Sequence, residues 1–256
     1  MMNWTVRAIA VVLVVAFAAA CAPKFENMSA SEIYDYGSKR FEKRDYSESI
    51  EAFEKLIELY PFSTYVTRAE LAIADAYFAR KRWPEAAVAY KDFAERHPTN
   101  EAAPRAIHRE GAAHDEQRLA LDRDQEETLA AEQTLARVVT QYPDYADIDD
   151  ARSRLMKVRE DLAGRERYIA RFYWREKEYY ASVMRWQRIV RDYSDTKYLP
   201  EALYFSALCY RKLEEPEQAE RHQKMLAAKF PDHKLARKLA GEAAPTPEPA
   251  PDSVSP

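Results

Sequence analysis

Apolar residues recur along this chain at the three-and-four spacing of a helix face, in short segments that close on an aromatic residue or histidine followed by proline. In residues 47–61, Ile50, Phe53, Leu56 and Ile57 make such a stripe before Tyr60-Pro61. The same ending returns at His97-Pro98, Tyr142-Pro143, Tyr193-Ser194 and Phe230-Pro231, so successive ends lie 37, 45, 51 and 37 residues apart. The two longer spacings read as 37 with insertions of 8 and 14. No run alternates apolar and polar residues as a half-buried strand does, and only 4 of 256 residues are Gly. The pattern therefore predicts an all-α chain of helix pairs in five copies.

Setting each final proline (or Ser194) at position 32 of a 34-residue helix-turn-helix repeat brings the copies into register. Position 8, where two helices cross closely, is Gly37, Ala74, Gly111, Ala170 and Ala207. Position 20 is Ser49, Ala86, Ala131, Ser182 and Ala219; position 24 is Phe53, Tyr90, Leu135, Trp186 and the odd Gln223. Position 27 is Leu56, Phe93, Val138, Ile189 and Leu226, and position 11 is tyrosine at 77, 173 and 210. Small residues at 8 and 20 let helices approach, large ones at 11, 24 and 27 fill the space, and proline stops the second helix. This is the tetratricopeptide pattern, and the fold expected is an all-α solenoid of five such repeats.

The organisation that follows places repeats 1 and 2 at 30–98, repeat 3 with its insertion at 99–143, and a linking helix, repeats 4 and 5 and a short cap at 144–240. Ser29 or Ser31 is expected to cap the first helix, and Pro84 to begin the second helix of repeat 2. The 119–126 insertion is polar and reads as a solvated loop or a docking element. The linking segment 147–162 carries Ile148, Ala151, Leu155, Val158 and Leu162 at helical spacing and is expected to bend at Gly164. Residues 241–256, rich in proline, are expected to be disordered.

The first 20 residues open with one arginine, Arg7, and run into an apolar core too short to span a bilayer, which reads as a secretory signal. Small residues before Cys21 resemble a bacterial lipoprotein cleavage site, with Ala18 where leucine is usual; an ordinary signal peptide is the alternative. Cys21 would then carry lipid and hold the protein on a membrane, and residues 21–29 would be a tether that adds nothing to the repeat core. Cys209 would be the only remaining thiol, so no intramolecular disulfide is possible, and its packed surroundings predict an inert cysteine.

Charge narrows the partners. The net charge of −4, from 39 Lys and Arg against 43 Asp and Glu, argues against a nucleic acid held by counterion release. No two of the five histidines stand at i, i+3 or i, i+4, and the glycines are isolated, so neither a helical metal pair nor a phosphate-cradling loop is expected. No catalytic residue, metal or cofactor is assigned. Aromatics and charges do fall at groove positions 2, 5, 9 and 12 of repeats 1 and 2. Tyr34, Ser38, Arg68, Asp75 and Phe78 are the candidates for an extended peptide ending in an aromatic residue and a carboxylate, held by stacking and by the Arg68 guanidinium.

Several of these features together resemble the BamD family of tetratricopeptide lipoproteins. They are the lipoprotein-like start, the five repeats, Glu32-Ile33-Tyr34 and Tyr60-Pro61-Phe62 with Tyr65. To these add the Asp122-Arg123-Asp124-Gln125 insertion, residues 162–173, and Arg191-Asp192-Tyr193-Ser194-Asp195-Thr196. Ser194 stands where the family has proline, and the proline-rich tail is an addition. The resemblance implies a non-catalytic scaffold at the periplasmic face of the outer membrane. Its N-terminal repeats would recognise unfolded β-barrel substrates, and its C-terminal repeats would dock the POTRA domain of the barrel-inserting subunit beside other assembly lipoproteins. It places the docking arginine at Arg185, with Arg188 one turn away. The rival readings are a pilotin lipoprotein that carries a secretin, and a periplasmic hydrolase, for which no site is visible.

Overall fold

The computed structural model describes residues 25–243. Among them every regular element is an α-helix. The first five are α1 Ala30–Glu42, α2 Tyr46–Leu59, α3 Val66–Ala79, α4 Trp83–Arg96 and α5 Ala103–Asp115. There follow α6 Glu126–Gln141, α7 Ile148–Arg175, α8 Tyr179–Asp192, α9 Leu199–Lys212, α10 Pro216–Lys229 and α11 Lys234–Ala243. Two compact units divide the chain after Ala113. In the first, α1 to α4 pack each on the next; in the second, α6 to α10 do the same and α11 lies on α9 and α10. The fold is thus the all-α tetratricopeptide repeat predicted, with neighbour-on-neighbour packing in each unit.

The repeat columns explain that packing. Ala74, Ala170 and Ala207 at position 8 and Ser49, Ala86, Ala131 and Ser182 at position 20 are fully buried. Phe53, Tyr90, Leu135 and Trp186 at position 24, and all five residues at position 27, are buried beside them. Each fully buried side chain of that size contributes about 1.5–3 kcal/mol. The position-11 tyrosines are only half-buried. Gln223, the odd member of position 24, is only half-buried, while His222 next to it is buried.

Two turns recur. Between the helices of repeats 1, 2, 4 and 5 the chain turns on Arg44, Lys81, Lys177 and Glu214, all at positive φ of 59–62°. All four stand at position 15. In each, the next residue's N–H reaches back five residues, as Asp45 N to Arg40 O (2.9 Å) and Glu215 N to Tyr210 O (2.9 Å). These are left-handed helix caps built without glycine. The second helices end alike: Tyr60, His97, Tyr142, Tyr193 and Phe230 each donate N–H four residues back at 2.9–3.0 Å. Each then accepts from the residue three further on, as from Ser63, Asn100 and Thr196. Position 32 takes no part in this pattern, so proline fits there in four copies and Ser194 in the other.

Three expectations are corrected. The tether is not idle from Phe25 onward: Phe25 is 4% exposed and packs with Ile33, Phe53 and Leu56. The Tyr60 hydroxyl donates to the Met28 carbonyl at 2.6 Å and pins the segment to the end of α2. Ser29 then caps α1 in a capping box with Glu32. Second, α7 runs unbroken for 28 residues through Gly164. Gly164 is buried where Leu121 and Tyr198 come close, so its missing side chain serves an approach and not a bend. Third, α11 continues through Gly241 to Ala243, inside the segment expected to be disordered. Residues 244–256, and the signal and Cys21 at the other end, lie outside the described residues.

Two of the helical glycines, Gly37 and Gly164, predict opposite results. A Cβ on Gly37 would stand 2.7–3.0 Å from the ring of Phe53, itself buried, so Gly37→Ala overpacks and costs about 1–3 kcal/mol. A Cβ on Gly164 would meet nothing closer than 3.5 Å, and Gly164→Ala gains about 0.5–1 kcal/mol from backbone entropy. Urea midpoints moving in the same direction for both would overturn this packing.

His222 makes stability depend on pH. Its Nε2 lies 2.7 Å from Gln187 Nε2 and its Nδ1 2.7 Å from the Gln218 carbonyl. Burial holds its pKa below the ordinary imidazole value. The unfolded chain therefore takes the proton more readily, so this contribution is complete above about pH 6.5 and is lost as pH falls below it. The loss of stability between pH 7.5 and 5.5 is expected to shrink in His222→Gln, read from urea midpoints; an unchanged loss refutes the assignment.

Candidate functional site

The first unit brings together part of the predicted groove. Tyr34, Ser38 and Asp75 line a cavity of about 210 Å³ with Phe41 and Glu42, over Phe53 and Ala72. Tyr34 sits at spacing i, i+4 from Ser38, so one face of α1 presents both. Its ring packs between Phe53 and Tyr65, at centroid distances of 5.5 and 5.2 Å. Arg68 and Phe78 do not join them. Arg68 is exposed on the first turns of α3 and lines no part of this cavity. Phe78 lies against Trp83 and Tyr90, with the Arg109 guanidinium 4.9 Å above its ring. Asp75 is fully engaged: Arg105 donates to both carboxylate oxygens at 2.7 and 2.8 Å, and the Tyr90 hydroxyl donates at 2.5 Å. The cavity thus has an aromatic lining and two carboxylates, Glu42 and Asp75, and no cation.

In the second unit Arg185 and Arg188 converge on one residue that sequence reasoning missed. Glu166 of α7 is buried, and its carboxylate accepts from Arg185 Nη1 at 3.3 Å and Arg188 Nη1 at 2.9 Å. Arg185 is therefore tied to the fold as well as to the surface of α8, because a buried carboxylate needs a cation and α8 supplies two. Trp186, next to Arg185 in sequence, is fully buried and stacks on Phe205 at 5.2 Å and 13°. The outer stripe of α8 carries Tyr180 and Met184, 66% and 51% exposed, in line with Arg188 at successive i, i+4 steps. A glutamate in an apolar helix stripe, one turn before the close-packing Ala170, was the available signal for Glu166.

The motif Arg191-Asp192-Tyr193-Ser194-Asp195-Thr196 has a structural role in the second unit. Arg159 on α7 donates to both Asp195 oxygens (2.7 and 2.8 Å), to the Asp192 carbonyl and to Glu132 of α6 (both 2.6 Å). One guanidinium so fastens α6, α7 and the end of α8. It holds the Asp195 carboxyl below its ordinary range, while burial pushes Tyr193 up to about 12. In the insertion, the buried Gln125 donates to the carbonyls of Ala120, Arg123 and Asp124 at 3.1 Å each. That loop is ordered by its own glutamine and is not merely solvated. Cys209 is buried, 3.5 Å from the Ser182 hydroxyl, and burial pushes its thiol up to about 11, which leaves it unreactive at neutral pH. Among the described residues no cluster of His, Cys, Asp and Glu could hold a metal, and no helix is long and apolar enough to cross a membrane.

The profile of the YfiO family, described as outer membrane lipoprotein, matches residues 26–226. Relatives named outer membrane protein assembly factor BamD include one from Caulobacter vibrioides, 28% identical over 87% of this chain and 75% of its own length. Another, from Neisseria gonorrhoeae, is 26% identical over 80% of this chain and 81% of its own. That of Rickettsia prowazekii is 25% identical over 79% and 80%. With the match spanning every repeat up to Leu226 of the fifth, the chain belongs to the YfiO/BamD family of outer membrane lipoproteins.

Proposed function

We propose that this chain is an outer membrane protein assembly factor acting as a non-catalytic scaffold, held at the periplasmic face of the outer membrane by lipid on Cys21. The observation that carries the reading is the family match over residues 26–226. In this reading the aromatic cavity of repeats 1 and 2 receives a side chain of an unfolded β-barrel substrate. Tyr34, Ser38 and the clamped Asp75 stand at its wall, and Arg68 and Phe78 lie outside it. The α8 face docks the POTRA domain of the barrel-inserting subunit, and other assembly lipoproteins join the same complex. Docking of this kind favours a rigid helix. Trp186 anchors α8, so Tyr180, Met184 and Arg188 are presented on a fixed backbone and only their side chains are ordered on docking.

Because the two arginines share one carboxylate, truncating both would strand buried Glu166. Arg185→Gln and Arg188→Gln are therefore made in a Glu166→Gln background, which leaves no buried charge without its cation, with the Glu166→Gln chain as the reference. The double variant is expected to keep its helical circular dichroism while co-purification of the barrel subunit from detergent-solubilised membranes falls at least ten-fold, the loss of about 1.4 kcal/mol. A yield equal to the reference removes the docking face. A secretin in place of the barrel subunit on the wild-type chain would establish the pilotin reading instead.

A further inference from the structure

We propose that the corner at residues 59–67 is a membrane contact, with Phe62 inserted into the interfacial layer of the phospholipid leaflet that holds the lipid of Cys21. The inference rests on the reading of Cys21 as the anchor. Five corners join a second helix to the element after it, and all are closed by the same pair of backbone hydrogen bonds. Their residue after position 32 is Phe62, Thr99, Asp144, Asp195 and Asp232, each exposed to solvent. Four corners thus use threonine or aspartate, residues suited to turns and to water. The turn asks for no aromatic ring, and the core makes no use of this one: Phe62 is 99% exposed. Its backbone is ordered all the same. Pro61 fixes its own φ, Ser63 N donates to the Tyr60 carbonyl at 2.9 Å, and Tyr65 N donates to the Ser63 hydroxyl at 3.2 Å.

The corner is also without charge. Residues 59–67 hold no Asp, Glu, Lys or Arg, whereas 96–104, 141–149, 192–200 and 229–237, the same spans of the other corners, each hold at least two. At its flanks Glu58 is paired with Lys55 at 2.6 Å and Arg68 is an exposed cation, so the corner sets no free carboxylate against anionic headgroups. Place decides what the ring meets. The Tyr60 hydroxyl ties the corner to the Met28 carbonyl at 2.6 Å, and Tyr60 packs on the core cluster in which Phe25 is buried. From Phe25 back to Cys21 is four residues, at most about 14 Å of extended chain. Acyl chains on Cys21 therefore hold a leaflet within reach of the corner that is tied to the tether. An exposed aromatic beside tyrosines, with no charge to desolvate, is the composition that enters the interfacial layer. A protein partner would be selected by charges at the rim, and this corner has none.

The test uses the lipidated full mature chain, purified from membranes and reconstituted in liposomes of phosphatidylethanolamine and phosphatidylglycerol. Cys21 is acylated in that chain and Cys209 is buried, so Thr64→Cys offers a single accessible thiol for a nitrobenzoxadiazole label while Phe62 stays in place. A doxyl quencher on the acyl chains just below the headgroups is expected to quench this label at least about two-fold, because interfacial residues sit about 5–10 Å into that boundary. A label on Thr99→Cys, in the next corner, should stay unquenched. Adding Phe62→Ser should remove the quenching at 64 and leave the urea midpoint and liposome flotation unchanged, since the ring supports no packing and the lipid still anchors the chain. An unquenched label at 64 on floating chains, equal quenching at 64 and 99, or quenching that survives Phe62→Ser overturns the proposal. Intact-mass spectrometry separates this outcome from failure of the anchor reading. A mature chain without lipid on Cys21 refutes the anchor and the contact together, while a lipidated chain with an unquenched label refutes the contact alone. If liposomes leave the label unchanged and the barrel subunit or a second copy of the chain shields it, the corner is a protein interface and the membrane contact is refuted.

Discussion

Trp186→Ala is expected to lower the unfolding free energy by about 3–5 kcal/mol, the range for emptying a fully enclosed indole site. Trp186 is fully buried at position 24 of repeat 4, where the column has its largest member. Its loss removes the stack on Phe205 and opens a void between α8 and α9 that neither helix can close, because Ser182 and Ile189 hold α8 at the turns on either side. A second variant separates packing from polarity. The indole Nε1 is buried and meets no acceptor among the described residues. Phenylalanine removes that orphan donor, whose burial costs about 1–3 kcal/mol, while giving up part of the volume. Trp186→Phe is therefore expected within about 1.5 kcal/mol of wild type. Urea denaturation followed by circular dichroism decides it, and an alanine variant no worse than the phenylalanine one would show that the indole does not fill the site.

Asp75→Ala is expected to cost about 2–4 kcal/mol, and as a defect of folding, not of ligand binding. The carboxylate joins three helices of the first unit: it sits on α3, accepts the hydroxyl of Tyr90 on α4 and receives Arg105 of α5. Tyr90 is 1% exposed, so removing its acceptor leaves a buried hydroxyl with nothing to replace water. Burial, with the negative charge of Asp75 beside it, holds the Tyr90 phenol far above its ordinary pKa, so it stays a donor throughout the accessible pH range. Asp75→Asn keeps one acceptor for Tyr90 and loses the ion pair with Arg105, and about half the cost should remain. If Asp75→Ala is as stable as wild type while peptide binding in the first unit is lost, the residue belongs to a ligand site after all.

These two residues mark the boundary between sequence and structure. Trp186 was legible as core from its column alone, because a helix face repeats every three or four residues and five aligned copies average out exceptions. The same arithmetic located the close-packing Gly37 and Ala74, the turn at Pro84, the ends of all second helices and the burial that silences Cys209. It also carried the family resemblance, since insertions are visible as departures from a fixed period.

Which polar groups meet was not legible. Asp75 and Phe78 fell at groove positions, yet Arg105 and Tyr90, 30 and 15 residues away, drew the carboxylate into a clamp. The resemblance marks Arg185 as a docking arginine, and nothing in the sequence says that α7 brings the buried Glu166 against it. Gly164 looked like a bend, though the approach of Leu121 and Tyr198 gave the helix a reason to keep glycine and stay unbroken. Periodicity reports which face of a helix is buried and is written locally in the chain. Charge pairing and cavity shape depend on the angles at which separate helices cross, and only the packed tertiary structure sets those.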